Sequence, residues 1–213
     1  MNSVKGIFKP ADYFRVIASK DGKTLVGEML KKIIFIISFF SIIAYLSVLG
    51  FTEKMGIMGE ATLATKSAID SGLWAFSTFL LHGLIAAVVA KLFSVDERIS
   101  VIVTCYFWSH LYGWIAGFLM FALTFCLALL ITADIQFAII SSVIPFIIVK
   151  VWYLMKGTEI SMQTSKIESV AILILSSVLL FSLNWCLNEA TSHYFSKEMM
   201  DLYIASGDHK SDF

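Results

Sequence analysis

Five long apolar segments, set apart by short polar ones, organise this chain. Ile33 to Phe51 is 19 residues without a charge, and a second run from about Gly72 to Phe93 stays uncharged until Lys91. Ile99 to Ala133 then covers 35 residues with His110 as the one side chain that is basic or acidic. Segments at about 136–155 and 168–188 complete the series. A hydrocarbon core about 30 Å thick needs about 20 helical residues, so four of the five segments make one crossing each. The run from Ile99 is the exception. As one helix it would reach about 52 Å, while two crossings would take about 40 residues plus a turn. We read it as a short buried or interfacial half-helix over 99–109 followed by a span over 110–132.

The apolar runs are continuous instead of alternating at every second residue, which disfavours a transmembrane β-barrel. The predicted fold is all-α: a polytopic membrane bundle of five transmembrane helices (33–51, 72–93, 110–132, 136–155, 168–188) plus the half-helix. Pro145 removes one backbone hydrogen bond from the fourth span and predicts a kink.

The polar segments set the rest of the plan. Residues 1–32 form an amphipathic lead, with Pro10 suited to a first helical turn and Tyr13, Phe14 and Ile17 on one face. The lead is expected to lie on the membrane surface and to turn upward at Asp21-Gly22. Glu53 to Asp70 reads as a loop with Gly56 and Gly59, Asp96 to Arg98 as a charged turn, and Lys156 to Lys166 as a polar loop. The tail, 189–213, carries five acids against two bases. No small-residue cleavage site closely follows the first run, so that run reads as a retained span and not as a signal peptide.

Composition agrees with lipid as the solvent: 58% of residues are hydrophobic, 15% charged, and the mean hydropathy is +0.83. The formal net charge is zero, so nothing directs the chain toward nucleic acid. Placement of charge is more informative. With the N-terminus inside, 12 of the 16 basic residues fall on the inner side, seven of them in the lead. The positive-inside rule then predicts a cytoplasmic N-terminus and an outside C-terminus. Cys105, Cys126 and Cys186 lie in apolar runs, and neither CxxC nor HExxH occurs, so no metal, cofactor or disulfide framework is expected.

Candidate chemistry is sparse. Gly113 and Gly117 form a GxxxG, and Gly83 with Ala87 a looser small-xxx-small pair. Such spacing lets helix backbones approach, either between molecules or within one bundle. His82 and His110 lie inside apolar segments, where an imidazole serves as a proton relay or ligand contact, or is satisfied by Ser or Tyr across a helix interface. Asp134 is a proton or cation site if buried at depth, and a solvated turn residue otherwise. Trp108, Trp114, Trp152, Tyr106, Tyr112 and Tyr153 near predicted span ends read as an aromatic belt. GxSxG, paired carboxylates and a P-loop are all missing, so no catalytic residue is assigned.

The lead Phe8-Lys9-Pro10-Ala11-Asp12-Tyr13-Phe14-Arg15-Val16-Ile17 resembles the opening of bacterial members of the Yip family, named for Ypt/Rab-GTPase-interacting membrane proteins. Ala90-Lys91-Leu92-Phe93 before a charged turn, and Trp152-Tyr153-Leu154-Met155-Lys156-Gly157 before Lys166, are similar to that family as well. The resemblance spans about residues 7–187 and implies five spans with a cytoplasmic N-terminus. The expected function is that of a non-enzymatic inner-membrane protein, a scaffold or partner-binding element in membrane organisation. Its partners are then the lipid bilayer and a membrane protein or a second copy of the chain. Two alternatives stand beside it: a small transporter or channel using His82 and His110, and a membrane immunity or secretion-accessory protein.

Overall fold

The computed structural model describes residues 9–19, 22–55 and 60–208. Among these every regular element is helical: α1 (Pro10–Ala18), α2 (Gly22–Met55), α3 (Glu60–Phe76), a π-helical turn (Ser77–Leu81), α4 (His82–Leu92), α5 (Ile99–Thr132), α6 (Ile135–Met162) and α7 (Lys166–Asp208). Five stretches are long and apolar enough to cross a membrane, as an integral membrane protein requires: Val26–Phe51, Ala61–Leu92, Ile99–Thr132, Ile135–Met162 and Lys166–Lys197. Phe8, Asp21, Gly56, Gly59 and residues 209–213, which figure in the sequence expectations, lie outside the described residues.

Contacts divide the chain into two compact units. The first, Met1–Leu30 with Thr78–Val178, holds α1, α4, α5, α6 and the start of α7. Its core is built from Ala86, Ala87, Val89 and Ala90 of α4, Ile102 and Tyr106 of α5, Leu154 and Met162 of α6, and Ile172 and Leu173 of α7. Small residues on α4 let larger side chains from three helices close over it. The second unit, Lys31–Ser77 with Leu179–Phe213, combines most of α2 with α3 and the rest of α7. There Phe40 meets Trp74 edge to face at 5.5 Å, and Asp70 is paired with Lys66 and accepts a hydrogen bond from Thr191 at 2.8 Å.

Local chemistry explains where the helices stop. Ser94, in the left-handed region at φ 57°, donates to Lys91 O, and Val95 donates to Ala90 O, so the pair of bonds closes the end of α4. Ala133 takes the same conformation at φ 53° after α5. Asp134 then caps α6, its carboxylate accepting from the backbone N–H groups of Gln136 and Phe137 at 2.8 and 3.1 Å. Ser165 and Glu168 bond each other's backbone N–H reciprocally at the start of α7, a capping box.

Several expectations are corrected. The run from Ile99 is neither a half-helix plus a span nor two crossings: α5 is one continuous helix of 34 residues. Burial changes along it where the backbone does not. Residues 101–110 are all buried, whereas beyond Gly117 no residue of α5 is buried, and Leu130 is 83% and Ile131 81% exposed. The expected loop over 53–70 is helical from Glu60, and that over 156–166 is helical through Met162, with Lys156 paired to Glu159 one turn on. The tail is helical as well, since α7 runs on to Asp208, while Pro145 lies inside α6 as expected of the fourth span. The apolar face of α1 is covered by protein, since Pro10, Tyr13, Phe14 and Ile17 are buried and Tyr13 packs edge-on against Trp108 and Tyr112 of α5.

Candidate intramembrane polar site

Two of the three predicted polar candidates come together. His82 Nδ1 lies 2.8 Å from His110 Nε2, with the ring centroids 5.0 Å apart. Both residues are 3% exposed, so the contact is sheltered from bulk solvent. The other nitrogen of His82, Nε2, lies 3.2 Å from Ser176 Oγ and 3.4 Å from Ser177 Oγ on α7. Three helices are thus joined by polar contacts in an apolar core, where such bonds have little competition from water.

Neighbouring elements hold the rings in place. The π-helical turn ends at Leu81, so the chain leaves its extra residue immediately before His82 and sets Phe79 edge-on to His110 at 6.0 Å. Tyr106 lies edge-on to His82 at 5.1 Å. Its hydroxyl is 2.9 Å from Thr158 Oγ1, which is also 2.8 Å from Leu154 O. A threonine has one proton to give, and with that proton on Leu154 O the tyrosine donates to Thr158. That contact anchors Tyr106, and through it His82, to α6.

The glycines make this closeness feasible. A Cβ on Gly83 would stand 2.9 Å from Val103 Cα, so α4 and α5 touch backbone to backbone one residue after His82. Ala87, one turn on, is buried in the core of the first unit. Gly113 faces Lys150 and Tyr153, and Gly117 faces the Phe146 ring, so the GxxxG packs α5 on α6 within one chain. Asp134 is elsewhere. It is exposed at the cap of α6, 24 residues past His110, or about 36 Å along the helix.

The aromatic belt is corrected in the same way: Tyr106, Trp108, Tyr112 and Tyr153 are buried, and Trp152 remains exposed. Sequence reasoning passed over Ser176, Ser177 and Lys150. Lys150 is half-buried in the middle of α6, its ammonium 4.5 Å above the Trp114 ring. A lone cation inside a span was a sufficient signal. Ser176 and Ser177 gave none, because serines are common in membrane helices and their facing partner is 94 residues away. Among the described residues no cluster of three or more His, Cys, Asp or Glu side chains could hold a metal ion. Comparison with protein families, with curated proteins and with solved structures found no match.

Proposed function

We propose that this chain is a non-enzymatic integral membrane protein whose working part is the His82–His110 pair, a polar centre for the passage of an ion or small solute. The 2.8 Å contact between two buried imidazoles carries this reading. Ionisable side chains are costly in an apolar bundle, and a sequence needing only helix adhesion meets that need with serine and glycine. Lys150 on the facing helix adds a cation at mid-span. The excess of basic residues at one end supports a cytoplasmic N-terminus in a bacterial inner membrane. The full chain reconstituted into planar bilayers in KCl is expected to carry current that a His82→Ala, His110→Ala double variant loses. Equal current in wild type, variant and protein-free bilayers would sink the proposal.

A second reading, a partner-binding scaffold of Yip-like architecture, is supported by the docking of α1. With Tyr13 and Phe14 turned inward, α1 presents Asp12, Arg15 and Val16 outward. Crosslinking in native membranes followed by pull-down is expected to recover a membrane partner that a charge reversal at Arg15 releases. Recovery of the chain alone, as a monomer, counts against it.

A further inference from the structure

The hydrogen-bond chain through the pair has a direction and an open end. With the Ser176 hydroxyl proton on Leu173 O, 3.2 Å away, Ser176 Oγ accepts from His82 Nε2, which in that arrangement carries the hydrogen. A neutral His82 is consequently bare at Nδ1 and accepts from His110 Nε2–H. That leaves His110 Nδ1 as a bare lone pair, buried, with no hydrogen-bond partner among the described residues. Ser177 Oγ supplies the opposite arrangement. It can donate to His82 Nε2, which places the hydrogens on His82 Nδ1 and His110 Nδ1. Two serines side by side on α7 thus match the two tautomers of one imidazole pair, one as acceptor and one as donor.

Resting on the reading of this pair as the working part, we propose that the species it passes is the proton itself, handed along by an exchange of tautomers. A proton binds His110 Nδ1, the Nε2 proton of His110 moves to His82 Nδ1, and the Nε2 proton of His82 leaves on the serine side. One N–H bond forms and one breaks at each ring, both rings are neutral before and after, and one proton has crossed the pair. Rotation of the rings, or passage in reverse, restores the first arrangement. The groups around the pair suit transit over storage. Tyr106 comes from α5 and Ser176 and Ser177 from α7, all of them neutral, so none of these contacts supplies a carboxylate to hold an imidazolium at rest.

The test uses the full chain in planar bilayers with symmetrical KCl and a pH difference across the membrane. A wild-type current whose reversal follows the pH gradient is expected, falling at least tenfold in His110→Gln, which offers an amide to His82 but no second ring nitrogen. A pH-independent KCl current that still requires His82 and His110 would overturn the relay and leave the wider reading standing. No current at all would overturn both. Should His110→Gln fail to fold, nitrogen NMR of histidine-labelled wild type decides. Exchange between the two tautomers on both rings supports the relay, and a pair locked in one tautomer overturns it.

Discussion

Gly83 and Val103 are in backbone contact: the hydrogen on Gly83 occupies a space where a Cβ would stand 2.9 Å from Val103 Cα and 3.2 Å from Tyr106 Cβ. Neither neighbour is the tip of a flexible side chain, so a larger residue has to part α4 from α5. Alanine ordinarily gains about 1 kcal/mol over glycine inside a helix. At Gly83 overpacking of about 1–3 kcal/mol outweighs that gain, and Gly83→Ala is expected to lower the unfolding temperature in detergent. Gly50 in α2 has nothing within 4 Å of its Cβ position, and Gly50→Ala is expected to raise it. The same sign at both sites would contradict the packing described.

The cap at Asp134 gives a second expectation. Asp134→Ala removes the acceptor for two backbone N–H groups at the start of α6 and costs about 1 kcal/mol in reversible unfolding. Asp134→Asn retains most of it. Current through reconstituted bilayers should be untouched by either change, because the cap lies far from the imidazoles.

Tyr13 titrates outside the membrane-spanning helices. Burial, chiefly, holds its phenol above its ordinary value of 10.0. The unfolded chain therefore releases this proton before the folded one does. Stability from this group is intact below pH 10 and declines as pH rises beyond it, toward the raised native value. Denaturation followed from pH 8 to pH 12 should show that decline in wild type, and Tyr13→Phe should flatten it. An equally steep loss in Tyr13→Phe would assign the decline to other groups.

Lys150 lies where a charge is least welcome. Lys150→Met keeps an unbranched apolar stem, removes the ammonium over Trp114, and is expected to raise the unfolding temperature while shifting tryptophan emission. A fall in stability would show that the cation–π contact outweighs the cost of placing the charge in lipid.

Much of this architecture can be read from residue order, for identifiable reasons. The spacing of Tyr13, Phe14 and Ile17 marks the face that α1 buries, and Asp134 beside an apolar run marks a cap. Length arguments failed at Ile99 because they fit helices to the bilayer, whereas α5 and α7 simply overrun it. Nothing at 109–110 breaks a helix, since neither glycine nor proline stands there. Lys156 and Glu159, read as loop residues, lie one turn apart and pair along α6. For the site, apolar context was enough to single out His82 and His110. That they touch depends on Gly83 and on the π-helical turn before His82, and backbone geometry of that kind leaves no periodic mark in a sequence.

The connection between α5 and α6 is two residues, Ala133 and Asp134. So short a link cannot wait on the far side of the membrane while its second helix is made. The two helices are therefore expected to enter the bilayer together as a preformed hairpin, with Asp134 the one acid carried across, at a cost of about 2.5–3.5 kcal/mol if it passed unpaired. In the folded chain its carboxylate is bonded to the N–H groups of Gln136 and Phe137, and a hairpin inserted with that cap formed would carry the charge partly shielded.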